Sequence, residues 1–295
     1  MEKQTPVGFV LIGFIFLVSS LLSAEESPHQ LAFYDQVTAI EREAGGRLGV
    51  AALNTGTGEF LEYRSDERFA MCSTFKLLLV SAVLSMVESH PDLLSQVVPF
   101  ESADLVTYSP VITAHIAEGT FTVEELCSAT IIESDNTAAN LLIEMIGGPS
   151  GLTTFARSLG DLQTQLDRYE PSLNSNVHGD ERDTTTPAAM VHSMQEILVG
   201  DKLTPSSREL LLTWLSKTVT GRERIRAGVD RSWRVGTKSG SGERGATNDI
   251  GIIWPPEGDP FIVAVYFSES RRPSHERDEV IAEVARLAIG MLCVP

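Results

Sequence analysis

The chain is short of the residues that metal, redox or nucleic-acid chemistry would require. It has three cysteines, Cys72, Cys127 and Cys293, and six scattered histidines in 295 residues. No CxxC, HxH or HExxH occurs, so a zinc hydrolase lacks its ligands, and neither a metal nor a cofactor is expected. Basic residues are outnumbered, 23 Lys and Arg against 40 Asp and Glu, and the formal charge of −17 repels nucleic acid and anionic membrane surfaces. No basic cluster with interleaved aromatics offsets that charge, which is read as solubility. Internal repeats, low-complexity stretches and flexible linkers are missing, as is the GxSxG signal of one large class of serine hydrolases.

Long apolar runs are also missing, with one exception at the start. Lys3 precedes an apolar run from Val7 to Leu22, and Ser23-Ala24 leads into the acidic pair Glu25-Glu26. This is the layout of a secretory signal peptide, residues 1–24. A membrane anchor is disfavoured because the run is short for a spanning helix, and no cysteine follows that could carry a lipid.

What is present suffices for a large core: 42% of the residues are hydrophobic. Helical periodicity from Gln30 to Ala44 stops at Gly45-Gly46, and two short strands, Arg47 to Asn54 and Glu59 to Arg64, flank the turn cluster Thr55–Gly58. Phe75 to Val87 is apolar on nearly every side, which predicts a helix in the middle of a core. More helices follow, punctuated by the capping box Thr122/Glu125, by Gly147-Gly148-Pro149, and by Thr186-Pro187 and Thr204-Pro205. Strand chemistry returns at Ser232 to Ser239, Thr247 to Ile253 and Phe261 to Ser268, and a final helix runs from about His275 to Leu292. The expected fold is α/β: a five-stranded antiparallel sheet built from both chain ends and flanked by helices, with an all-α lobe inserted and a cleft between the two. The expected division is one catalytic domain, 25–295, with an α/β lobe of about 25–66 and 219–295 and an all-α lobe of about 67–218.

Three clusters could carry chemistry. Lys76 follows Ser73 by three residues at the start of the buried helix, so the two side chains share one face. A serine at a helix N-terminus meets free N–H groups, and a neighbouring lysine kept partly neutral by burial can serve as its base. An N-cap serine beside an incidental lysine is the bland alternative, but a lysine in an apolar helix is costly without a purpose. Ser134-Asp135-Asn136 lies between two helical runs, and alone it reads as a loop or cap. Lys238-Ser239-Gly240 ends a predicted strand, where a lysine would otherwise be an exposed edge residue and glycine admits close approach. Gly240–Gly245 formally matches the dinucleotide fingerprint GxGxxG, but a strand rather than a helix follows, so these glycines are assigned to a hairpin.

In this order the three clusters resemble the motifs of the serine β-lactamases and penicillin-binding proteins, and the resemblance spans nearly the whole chain after the leader. Arg168-Tyr169-Glu170-Pro171-Ser172-Leu173-Asn174, followed by Asp180–Thr185, is similar to the omega loop of class A β-lactamases. The resemblance implies a nucleophile, Ser73, with Lys76, Ser134 and Glu170 as its catalytic partners. It implies an oxyanion hole of the Ser73 and Ser241 backbone N–H groups, and a water held by Glu170 and Asn174. Substrate would be bound by Lys238, Ser239, Gly240 and Ser241, by Asn136, and by Tyr108 at the cleft mouth. An Arg168–Asp183 ion pair would close the loop's neck. Thr247 stands where many members place a carboxylate-binding arginine, and Arg224 matches the position from which others supply that charge. Familiar disulfide partners are replaced by Gly242 and Val80, which implies three free thiols and disfavours carbapenem hydrolysis. The implied activity is opening of penicillins and cephalosporins by an exported, periplasmic or secreted monomer whose partners are small β-lactams. A DD-peptidase and a non-hydrolytic β-lactam sensor are the alternatives.

Overall fold

The computed structural model describes Met1 and residues 28–293, so the rest of the expected leader lies outside the described residues. Five antiparallel strands form the main sheet: β1 (Arg47–Asn54), β2 (Phe60–Tyr63), β3 (Arg234–Ser241), β4 (Thr247–Trp254) and β5 (Phe261–Ser268), in the order β2-β1-β5-β4-β3. The chain's two ends therefore interleave, with β5 pairing Val265 to Val50 on one side and to Asp249 on the other. Central β5 is buried along its whole length, the pattern of a strand covered on both faces.

Alternation along the strands sorts their side chains into two cores. Val263, Val265 and Phe267 of β5, with Leu48 and Val50 of β1, pack among Phe33 and Val37 of helix α1 (Pro28–Ala44) and residues of the C-terminal helix (Ser274–Leu292), including Ile281 and Val284. Ile262, Ala264 and Tyr266 face the other way and share a second core with the intervening helices. Helix α2 (Phe75–Met86) is the axis of that second core, buried without a break from Phe75 to Leu84 as its all-round apolarity predicts. Around it stand α3 (Val123–Ile132), α4 (Asn136–Met145), α5 (Pro149–Ser158) and α7 (Pro205–Ser216), while α6 (Pro187–Leu198) lies against β1 and β5.

Local signals account for most boundaries. The Thr122–Glu125 capping box is formed in both directions, and the Thr186 and Thr204 hydroxyls cap α6 and α7. One strand is displaced by two residues from expectation: β3 runs 234–241 rather than 232–239. Ser232 is instead captured in a turn, where its N–H and hydroxyl both donate to Asp230 Oδ1, while Ser241 pairs with Thr247. The third motif consequently sits inside the strand. The glycines that follow form the β3–β4 hairpin, with Arg244 and Gly245 at positive φ, so the helix of a dinucleotide site is replaced by a strand.

Candidate active site

Ser73 occupies a 3-10 turn, Cys72–Thr74, that runs straight into α2. The turn is held from two sides: Met71 N–H donates to Asp183 O at 3.0 Å, and Asn248 Nδ2 donates to Ala70 O at 2.9 Å. Cys72 adopts φ +46, a left-handed conformation unfavourable for a residue with a Cβ, as neighbours of reactive groups often do. Strand β3 presses on the same turn at Gly240, where a Cβ would lie 2.8 Å from Met71 O and 3.1 Å from Ser73 N. Only glycine allows that approach, and it brings Ser241 onto the cleft that Ser73 lines.

The first turn of α2 carries Lys76, fully buried, with four acceptors around its ammonium. Nζ lies 3.2 Å from Glu170 Oε1, and donates to Ser134 O at 2.7 Å, to Asn136 Oδ1 at 2.5 Å and to Ser134 Oγ at 3.4 Å. Burial pushes its pKa down, and the Glu170 carboxylate pulls in the opposite direction. Lys238, on edge strand β3, is buried rather than exposed, because its side chain turns inward to donate to Ser134 Oγ and to Ser239 O, both at 3.0 Å. Burial, then repulsion by Lys76, holds its pKa well below the usual lysine value. The Ser134 hydroxyl thus stands between two buried lysines. Its loop is fixed by Asp135, whose carboxylate caps α4 at Ala138 N and also receives Val111 N and Ile112 N.

Glu170 is buried and turned toward the nucleophile: Ser73 Oγ donates to its Oε1 at 3.4 Å, and Asn174 Nδ2 to its Oε2 at 2.5 Å. Ser73 is therefore hydrogen-bonded to Glu170, and Lys76 meets it through the oxygen that both share. The loop is stretched between fixed points. Asn140 of α4 brackets the Glu170 backbone with bonds of 2.9 and 3.0 Å, and the Glu170–Pro171 peptide is cis. At the neck, Arg168 Nε meets Asp183 Oδ2 at 2.5 Å, while Asp183 Oδ1 accepts the backbone N–H groups of Asp167 and Arg168. Leu173 is buried in the core beneath, and Glu243 N–H of the β3–β4 hairpin donates to Asn174 O at 2.9 Å.

Across the cleft, Arg224 Nη2 donates to Ser241 Oγ at 2.7 Å and Nη1 to Gly240 O and Asn248 O, both at 2.8 Å. Asp278 of the C-terminal helix takes Arg224 Nε at 2.7 Å. Ser239 Oγ donates to Thr220 Oγ1 at 2.9 Å, and Thr247 Oγ1 receives Arg277 Nε. Tyr108, at φ +64 and 55% exposed, stands at the mouth. These walls enclose a cleft of about 590 Å³ lined by Ser73, Ser134, Asn136, Asn174, Arg224, Ser239 and Ser241, among others.

Ser73, Tyr108, Ser134, Asn136, Asn174, Arg224, Ser239 and Ser241 thus line one cleft, and Lys76, Glu170 and Lys238 are buried beneath it. One refinement concerns Asn136, whose Oδ1 accepts from Lys76 while its Nδ2 donates to Thr107 O at 2.8 Å. Asn140, Thr220 and Asp278 escaped the sequence reading, since an isolated polar residue on a helix or in a loop carries no local mark of a distant partner. Cys72, Cys127 and Cys293 are all unbridged. A Cβ at Gly242 would stand 2.6 Å from Cys72 Sγ, so the thiol fills the space that a larger residue would occupy, and burial pushes its pKa up to about 12.

Known proteins match the chain over most of its length. Residues 32–292 match the family model described as the β-lactamase enzyme family. The chain is similar to β-lactamase OXY-2 of Klebsiella oxytoca, 45% identical over 87% of this chain and 88% of that one. It is also similar to β-lactamase CTX-M-97 of Escherichia coli, 46% identical over 85% and 86% respectively. Among solved structures, that of the reconstructed last common ancestor of Gram-negative class A β-lactamases superposes with a TM-score of 0.86, at 53% identity over 88% of this chain and 99% of that one. With its matched length, its fold and its four ordered motifs, the chain belongs to the β-lactamase enzyme family, as a member of class A.

Proposed function

We propose that this protein hydrolyses the β-lactam amide of penicillins and cephalosporins through an acyl-enzyme on Ser73, which Glu170 and Asn174 then release with water. The observation that carries the reading is the shared oxygen: Glu170 Oε1 lies within 3.4 Å of Ser73 Oγ and 3.2 Å of Lys76 Nζ. A base so placed can take the Ser73 proton as the hydroxyl oxygen attacks the lactam carbonyl. The backbone N–H groups of Ser73 and Ser241 would receive the oxyanion, each such donor being worth roughly 10²-fold in rate. As the C–N bond breaks, the Ser134 hydroxyl, bonded to both lysines, hands a proton to the lactam nitrogen and is reprotonated through Lys76 with the proton that Glu170 took from Ser73, which leaves Glu170 a carboxylate again. A water bonded to Glu170 and Asn174 then attacks the ester; its proton passes to Glu170, the acyl C–O bond breaks, and Ser73 regains its hydrogen. Lys238, Ser239, Ser241 and Arg224 would take the substrate carboxylate, Gly240 would leave room for its approach, Asn136 would meet the side-chain amide, and Tyr108 would wall the mouth.

A DD-peptidase or a β-lactam sensor would share the three motifs and the acylation step, but neither needs a buried carboxylate joined to an asparagine beside the nucleophile. Counting turnovers per active site with benzylpenicillin and a chromogenic cephalosporin separates them. Steady turnover is expected, abolished in Ser73→Ala; one stoichiometric burst without a steady state would sink the hydrolytic reading. The leader layout, Lys3 to Ala24, supports export, to the periplasm of a host with two membranes or beyond it. The mature chain, 25–295, acts as a single catalytic domain and a monomer, with no cofactor.

A further inference from the structure

Arg224 does not stand on a strand or a long helix; it precedes a four-residue helical turn, Ile225–Gly228, so something must fix that turn against the sheet. Arg224 and the first residue of the turn donate side by side to two adjacent residues of β4. Arg224 Nη1 donates to Asn248 O at 2.8 Å, and the next residue along each segment adds a second bond in the same direction, with Ile225 N–H donating to Asp249 Oδ2 at 3.1 Å. Asp249 is fully buried, and its other oxygen, Oδ1, has no hydrogen-bond partner. A carboxyl group held by one backbone bond is a costly occupant of a strand whose next residues are Ile250, Gly251, Ile252 and Ile253. Its backbone pairs directly with Ser239 of the cleft wall.

We propose that Asp249 is the positioning residue for Arg224: by anchoring the Ile225 N–H it holds the guanidinium against Gly240, Asn248 and Ser241, where the substrate carboxylate binds. The proposal rests on the carboxylate-binding role given to Arg224 above. Asp249 does not line the cleft and acts through the arginine. Arg224 also donates its N–H to Gly221 O and its Nε to Asp278, and its carbonyl accepts from Ala227 and Gly228 N–H within the turn; none of these bonds is made to Ile225.

The test is steady-state kinetics with benzylpenicillin on Asp249→Ala, Asp249→Asn, Arg224→Ala and the Asp249→Ala/Arg224→Ala double variant. Asp249→Ala should raise KM about tenfold with kcat nearly unchanged. Asp249→Asn, whose amide oxygen can still accept from Ile225, should restore KM. In the Arg224→Ala background, Asp249→Ala should raise KM no further. An unchanged KM in Asp249→Ala, failure of asparagine to rescue, or an equal KM increase without Arg224 overturns the proposal. Unchanged KM in Arg224→Ala overturns the carboxylate role of Arg224 and this proposal with it, whereas failure at Asp249 alone leaves that role standing. If Asp249→Ala does not accumulate as folded protein, Ile225→Pro removes the donor instead: raised KM supports the proposal, and a folded variant with unchanged KM overturns it.

Discussion

Ser134 is held at φ +61, where a side chain bearing a Cβ is strained by about 1–3 kcal/mol, and its hydroxyl lies between Lys76 and Lys238. Glycine adopts that backbone without strain. Ser134→Gly should therefore unfold at a temperature no lower than the parent while losing about 10²- to 10⁴-fold in kcat, a split read by calorimetry beside kinetics. At Glu170, removal of the carboxylate should leave the acyl group on Ser73. Mass spectrometry of Glu170→Ala mixed with benzylpenicillin should show a persistent adduct, and rapid return to the unmodified mass would contradict the deacylation role. Asp249 supplies a pH signature of its own. Burial pushes its pKa up to about 7 from an ordinary value near 3.9, against the opposing pull of Arg224. The folded state thus binds the proton more tightly than the unfolded chain. This contribution is fully present below about pH 4 and is lost as pH rises through about 7. Relative to the parent, Asp249→Asn should gain stability as pH rises from 4 to 8; parallel melting-temperature curves for the two proteins would refute the assignment.

At the scale of elements, the sheet and the nucleophile turn are joined by places where a side chain has been left out. Gly49 of β1 is one: a Cβ there would lie 2.2 Å from the Phe69 ring, which belongs to a short ladder with Thr184-Thr185 just before the Ser73 turn. Gly49→Ala should cost about 1–3 kcal/mol, seen as a lowered urea midpoint, because the ring must shift within a filled core. Elements with strong local marks were legible in the sequence. The Thr55–Gly58 hairpin, the all-round apolar α2 and the capped helices fall at or within a residue or two of expectation. Strand β3 was less legible, since Ser232 and Trp233 have strand-like neighbours and their diversion depends on a turn around Asp230.

For the whole molecule, the motifs disclosed which residues would meet, and the chain's two ends disclosed that one sheet would join them. Strand order and the supporting contacts were not legible: Asp278 lies 54 residues from Arg224, and Asn140 lies 30 from Glu170, with no sequence pattern connecting them. Such partners are selected by packing, which brings the elements together before any polar pairing can form. The nucleophile, the two lysines, Glu170 and Arg224 all belong to the same chain. The monomer proposed above predicts a single sedimenting species of one chain's mass at concentrations where turnover is measured; activity that falls away on dilution faster than enzyme concentration would contradict it.

The two lysines at the floor of the cleft, Lys76 and Lys238, are sealed from solvent, which leaves Lys202 and Lys217 as the lysines at the surface among the described residues. In the mature chain proposed above, 25–295, amine-directed coupling to a dye, a resin or a sensor surface should attach at those two positions and at the amino terminus. Immobilisation by this route would leave the catalytic amines unmodified.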